Sequence, residues 1–282
     1  MSILKNALYI VATPLGNPDD ISHRALETLA GVDVIAAEDT RRIKRLMQHF
    51  NLGTACISLH EHNEAQASAQ VVQRLQAGQS VALVSDAGTP LISDPGYELI
   101  RMAQAAGLRI IPVPGPSALT AALSVAGLPN DRFVFEGFLP PRAAARRVRL
   151  EQLRDEPRTL VFYEAPHRIL ETLRDMTAVF GPQREAAIAR ELTKTFETVR
   201  RDSLEALTAW VAGDSDQQRG EIVVLVHGAS QAPRETARVD MRALLEALLP
   251  GRSTKEAVAL AADLTGEKRN RLYEMALEIR ET

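Results

Sequence analysis

Residues 80–96, SVALVSDAGTPLISDPG, join an apolar run to a stretch that cannot extend it. Val81, Ala82, Leu83 and Val84 are unbroken by polar residues, which is the pattern of a strand covered on both faces in a mainly parallel sheet. Ser85, Asp86, Ala87, Gly88, Thr89 and Pro90 then form a small-residue loop, in which Gly88 can adopt a positive φ and admit close approach to the backbone. Asp94, Pro95 and Gly96 punctuate the chain before a helix expected over Tyr97–Ala106, closed by Gly107. Open α/β sheets hold ligands in loops leaving the carboxyl ends of their strands. The competing reading is a tight connection whose Gly and Pro serve only the turn.

The same alternation extends in both directions. Strands are expected over Ala7–Ala12, Val32–Ala37, Cys56–Leu59 and Leu108–Val113, with helices starting near Asp19 or Ser22, running through Val71, Val72 and Leu75 to Gly78, and spanning Ala118–Ala126. That is an α/β domain with a largely parallel sheet. Two loops carry alternatives. Glu38, Asp39, Thr40, Arg41 and Arg42 form either a charged functional set or a helix start with acids in its first turn. Pro114, Gly115, Pro116 and Ser117 lead either to backbone amides that receive a polar ligand group or to a plain capped turn.

A second unit opens near Arg132 with a strand over Phe133–Gly137. Strands Thr159–Glu164, Glu185–Arg190 and Glu221–His227 follow, with one helix reaching Phe180, another holding Ala206–Val211, and a polar loop at Gly213–Gly220. Arg142, Arg146, Arg147 and Arg149 lie within eight residues with no acid among them; they read as a cationic loop or as a solvated helix face. Gly228–Arg238 has linker composition, and three short helical patterns follow: Met241–Leu249, Lys255–Leu264 and Lys268–Ile279. The last two resemble a helix-turn-helix, with Lys268, Arg269 and Arg271 able to meet phosphates, although a packing or dimer role fits the balanced charge nearly as well. The chain therefore divides into 1–118, 119–230 and 239–282.

Composition narrows the classes of function. With 282 residues, 45% hydrophobic but only 4% aromatic, the cores must be aliphatic and alanine-rich. Cys56 is the single cysteine, so an internal disulfide and an all-cysteine metal cluster are excluded. A net charge of −3 argues against general nucleic-acid coating and asks for a local basic patch. No secretory n-region or apolar run of about 18 residues is present, so a cytoplasmic protein without a membrane span is expected. No G-x-G-x-x-G follows the first strand and no P-loop motif occurs, which disfavours ordinary dinucleotide and nucleotide-triphosphate sites. His60 and His62 have a metal-like spacing but lack further ligands at the usual intervals, so a helix start capped by Asn63 is expected there and no metal.

The loops VATPLGN, AAEDTRR, LHEHNE, SDAGTPLISDPG, PVPGPSA, FEGFLP, YEAPHR and RELTKTFE, in that order, resemble those of the bacterial ribosomal RNA small subunit methyltransferase I family, within the tetrapyrrole-methylase superfamily. The resemblance is dense over residues 7–227 and includes the helical tail. It implies a two-domain α/β fold with S-adenosylmethionine (SAM) in the interdomain cleft, plus a small C-terminal helix-turn-helix-like domain. It also implies a homodimer that methylates a cytidine ribose 2′-oxygen in the decoding region of 16S rRNA, within the small ribosomal subunit. On this resemblance Pro14, Gly16, Asp86, Ala87, Gly88, Thr89, Ser117 and Ala118 are expected to wall the donor site from the first domain, and Phe162, Tyr163 and Glu164 from the second. A 2′-hydroxyl is a poor acid, so a carboxylate or a lysine of lowered pKa is sought as its base. Asp39, Glu164 and Lys194 are the candidates, with Arg41 orienting phosphate or carboxylate. Arg142, Arg146, Arg147, Arg149, Lys268, Arg269 and Arg271 are the expected RNA contacts. Two rivals stand beside this reading: carbon methylation of a tetrapyrrole on the same scaffold, and a noncatalytic RNA-binding assembly protein. A nicotinamide dehydrogenase is a more distant one.

Overall fold

The computed structural model describes residues 3–229 and 241–281; most of the expected linker, 230–238, and the first residues of the tail lie outside them. Residues 1–229 form one compact unit and 230–282 a second.

The first sheet is wholly parallel. Its strands are β1 (Ala7–Val11), β2 (Val34–Ala37), β3 (Cys56–Ser58), β4 (Val81–Val84) and β5 (Arg109–Val113), in the order β3-β2-β4-β1-β5. Every residue of β2 and β4 is buried, as their continuous apolar sequences require of strands covered on both faces. Helices α1 (His23–Gly31) and α2 (Thr40–His49) cover one face, and α3 (Glu64–Gln76) and α4 (Tyr97–Ala105) the other. Local chemistry fixes where they begin. Ser22 caps α1 by accepting the Ala25 N–H at 3.0 Å. Asp39 caps α2 by accepting the Arg41 N–H at 2.8 Å.

Helix α5 (Ala118–Val125) leaves the first sheet and packs on the second through Ala122, Leu123 and Ala126. That sheet comprises β6 (Phe133–Phe138), β7 (Thr159–Glu164), β8 (Glu185–Arg190), β9 (Thr198–Ser203) and β10 (Ile222–Val226), in the order β6-β7-β10-β8-β9. Only β6 and β7 run parallel; the other pairs are antiparallel. Its opposite face is covered by α6 (Ala143–Gln152), α7 (Ile169–Phe180) and α8 (Leu204–Gly213). Strand alternation decides which face each side chain reaches. Leu160 and Phe162 enter the core beneath α6 to α8, whereas Val161 and Tyr163 face α5.

The tail contains α9 (Met241–Leu248), α10 (Thr254–Thr265) and α11 (Arg269–Glu281) around Leu245, Val258, Ala261 and Leu272. Ser253 and Glu256 form a reciprocal capping box at the start of α10. Gly266, left-handed at φ +71°, ends that helix.

Candidate active site

The carboxyl ends of β1, β4 and β5 lie side by side where the strand order of the first sheet reverses, so the loops after them converge. Thr13 and Gly88 exchange two backbone hydrogen bonds of 2.9 Å, tying the loop after β1 to the loop after β4. Thr89 Oγ1 donates to the Pro116 carbonyl at 2.9 Å and adds the loop after β5. Gly88 sits at φ +80°, and a Cβ there would lie 3.2 Å from Leu15 Cδ2, so the position requires glycine on both counts.

A cleft of about 910 Å³, including its solvent-open mouth, separates these loops from the second sheet. Asp86, Ala87, Gly88, Thr89, Ser117 and Ala118 line it, as do Tyr163 and Glu164 from β7. Burial pushes the Tyr163 pKa up to about 12. It therefore stands in the cleft wall as a neutral phenol.

Several expected residues are elsewhere. Phe162 is fully buried with Leu160 in the core on the other face of β7, away from the cleft. Pro14 and Gly16 flank the wall without forming it; Leu15, between them, is the lining residue. The Glu164 carboxylate turns towards α7, where it accepts from the Thr172 hydroxyl and pairs with Arg168 at 3.1 Å. With its oxygens so committed it is a framework group rather than a free base. Asp39 is the α2 cap, and Arg41 grips it through two further side-chain hydrogen bonds of 3.0 and 2.8 Å. Those bonds hold the Asp39 carboxyl down at about 2. For Asp39 and Arg41 the helix-start reading prevails, and neither lines the cleft.

Lys194 also departs from expectation. Although burial works against its charge, bonds to Glu191 at 2.7 Å and Glu221 at 3.3 Å hold its pKa above the ordinary lysine value. It is an ion-pair centre, not a lysine poised to accept a proton.

The arginine run is a helix, α6, rather than a loop. Arg146 is 1% exposed and its Nε donates to Asp175 at 2.7 Å, with Arg147 on the other carboxylate oxygen at 2.6 Å. Arg149 forms a two-pronged pair with Glu136. Arg146 is thus part of the core and unavailable to phosphate, whereas Arg142 and Arg147 are exposed. In the tail Lys268, Arg269 and Arg271 are all exposed, with Arg269 paired to Asp263 and Arg271 to Glu267.

Sequence reasoning missed Asp94, Arg42, Phe138, Leu192 and Val223 as lining residues. Leu192 and Val223 lay in stretches read only as strand ends. Phe138 was placed just beyond β6, but a bulge between Phe135 and Gly137 carries the strand one residue further. His60 and His62 stack edge to face with ring centroids 5.9 Å apart. Asn63 occupies the α3 cap position, but its side chain accepts the His60 N–H at 2.8 Å instead of capping the helix. No helix among the described residues is long and apolar enough to cross a membrane.

Comparison with known proteins agrees with this architecture. Residues 7–208 match the family model of Tetrapyrrole (Corrin/Porphyrin) Methylases, and residues 235–280 match the RsmI C-terminal HTH domain. A Pseudomonas aeruginosa protein named Ribosomal RNA small subunit methyltransferase I is 58% identical over 96% of both chains. A protein of the same name from Vibrio cholerae is 49% identical, over 96% of this chain and 94% of its own. Solved structures sharing the fold include a cobalt precorrin-4 methyltransferase, with a TM-score of 0.61 at 16% identity, covering 79% of this chain and 95% of that one. A diphthine synthase gives 0.62 at 19%, covering 78% and 90%. A Thermus thermophilus uroporphyrin-III C-methyltransferase solved with S-adenosyl homocysteine gives 0.56 at 16%, covering 79% and 97%. With a parallel sheet facing a mixed one across a cleft, and near-full-length identity to proteins of one name, the chain belongs to the ribosomal RNA small subunit methyltransferase I family of tetrapyrrole methylases.

Proposed function

We propose that this chain transfers the methyl group of SAM to the ribose 2′-oxygen of a cytidine in the decoding region of 16S rRNA, acting on the small ribosomal subunit as a cytoplasmic homodimer. The observation carrying the reading is 58% identity, over nearly all of both chains, to a relative named for methylation of small-subunit rRNA.

The chemistry of the cleft suits the donor. SAM carries an ammonium and a sulfonium, and the carboxylate of Asp86 offers negative charge beside them. Its own carboxylate and ribose need donors, which backbone amides at Thr89 and the start of α5 can supply. The adenine needs an apolar slot, and Ala189, Leu192, Ile222 and Val223 provide one from the second sheet. When bound, the sulfonium supplies an activated methyl group. The residues of this chain contribute position: a fixed Thr13–Gly88 bridge, the start of α5 and walls that exclude water, so that acceptor and donor meet in line. Arg142 and Arg147 on the main unit, and Lys268, Arg269 and Arg271 on the tail, are the side chains available for RNA phosphates.

The test is incubation of labelled SAM with small subunits from cells lacking the protein, followed by mapping of ribose methylation on 16S rRNA. A single modified cytidine in the decoding region is the expected result. Label in a tetrapyrrole but not in the subunit would overturn the reading, and so would failure to bind SAM by titration calorimetry.

A further inference from the structure

Four carboxylates line the cleft: Asp86, Asp94, Glu164 and Glu221. Three are tied to cations. Asp86 pairs with Arg42 at 3.3 Å and also accepts the Asp39 N–H, Glu164 pairs with Arg168, and Glu221 pairs with Lys194. A carboxylate so paired is held in its charged form and its lone pairs are occupied, which makes it a weak acceptor of a proton. Asp94 has no cation partner among the described residues, and the nearby Ser85 hydroxyl donates to the Ala87 carbonyl at 3.2 Å.

Its position is fixed from both sides. Leu91 and Ser93, just before it, hold left-handed φ values of +74° and +69°, which non-glycine residues adopt only when their surroundings compel it. Immediately after it, the Glu64 carboxylate of α3 accepts the Gly96 N–H at 2.8 Å and the Glu98 N–H at 3.1 Å, anchoring the start of α4. Across the cleft Ser93 abuts Gly137 of β6, since a Cβ there would lie 3.0 Å from Ser93 Oγ. Asp94 is therefore presented, half-buried, at the seam between the two sheets.

We propose that Asp94 is the catalytic base of the transfer, accepting the proton of the acceptor hydroxyl as the methyl group moves. This rests on the function proposed above. As the ribose 2′-oxygen forms its bond to the methyl carbon, the sulfur–carbon bond breaks and its electron pair stays on sulfur, giving the neutral thioether product. The hydroxyl proton passes to an Asp94 oxygen, leaving a neutral carboxylic acid that returns the proton to solvent after product release. The charged and polar groups around Asp94 are consistent with the task. Burial, chiefly, with Glu38 and Asp86 beside it, raises its pKa to about 6 against the opposing influence of the Ser85 hydroxyl. Glu38 is itself raised by burial and by Asp86, with Arg42, paired to Asp86, and His60 countering. Tyr163, facing from β7, stays neutral. A base with affinity for protons near neutrality is efficient at physiological pH.

Single-turnover transfer from labelled SAM to small ribosomal subunits, measured between pH 5 and 9, tests the assignment. The wild-type rate is expected to rise about tenfold per pH unit below about pH 6 and then level. Asp94→Asn should lower the plateau by about 10²–10⁴-fold and remove that limb, while SAM affinity by calorimetry stays within about threefold. Asp94→Glu should recover part of the loss. Asp94→Asn transfer within a fewfold of wild type, with the limb retained, overturns the assignment alone. Absence of transfer by the wild type overturns the functional reading and the assignment with it. Should Asp94→Asn fail to fold, Glu38→Gln decides: removing the negative charge that helps to raise Asp94 must move the limb to lower pH, and an unmoved limb rejects Asp94.

Discussion

The two sheets hold the cleft between them by different means. In the first half the buried polar side chains are all hydroxyls: Thr13, Thr28, Ser68, Ser80 and Ser85. Among the described residues every buried charged side chain, namely Arg146, Glu164, Asp175 and Arg190, belongs to the second half. The parallel sheet offers the ligand mostly backbone, through loops cross-tied at Thr13, Gly88, Thr89 and Pro116. The mixed sheet offers side chains, and its framework is cross-linked by ion pairs. Arg190 alone donates to Gln217, to Thr198 and to the carbonyls of Phe196 and Arg219, binding the segments ahead of β9 and β10 to the sheet. A backbone site demands small residues and tolerates few substitutions, whereas a side-chain wall depends on the network that orients it.

This contrast is most exposed at Arg146. Arg146→Met should destabilise the protein by about 3–5 kcal/mol, because Asp175 stays buried with half its partners gone; the thermal midpoint reads this. A loss confined to RNA affinity would show instead that Arg146 leaves the core. In the first half Gly88→Val should weaken SAM binding by about 100-fold or more while the protein stays folded, since the side chain meets both a left-handed backbone and Leu15. Calorimetry with a circular-dichroism control measures both. Tyr163→Phe, removing a single hydroxyl from the side-chain wall of the cleft, should cost about 1 kcal/mol, or roughly fivefold in SAM affinity. An effect as large as that of Gly88→Val would erase the distinction between the halves.

The smallest effect is on stability. The folded state raises the Asp94 pKa from 3.8 to about 6, so it binds the proton more tightly than the unfolded chain does. Stability is therefore lost as pH rises between those values, and the full penalty stands above the upper one. Asp94→Asn should stabilise the protein at pH 8 by about 1 kcal/mol at most, after solvent screening, and leave it unchanged near pH 3.5. Denaturant midpoints at the two pH values are the measurement.

What the sequence made legible followed from periodicity. The strands β1, β4, β7 and β10 are apolar runs, and their burial is the physical cause of those runs. Strand β9, TVRRDS, is an edge strand with charged residues facing solvent, so no apolar run announced it. Arg146 was misplaced because its partner Asp175 is 29 residues away, a pairing that only packing of α6 on α7 creates. Phe162 was avoidable: a period of two along β7, with Tyr163 on the cleft side, already turns Phe162 away. Asp94 was visible only as punctuation, and its distinction, the lack of a cation, emerges from the pairings of its three neighbours on the cleft wall.

The polypeptide passes from the first sheet to the second only once, through α5 and the residues up to Phe133. Since α5 is already seated on the second sheet through Leu123 and Ala126, a cut ahead of it, in residues 114–117, would give two fragments with complete sheets, each carrying one wall of the cleft. Co-expressed, such fragments would reconstitute by association, and SAM, by gripping both, would serve as the glue that reports their reunion.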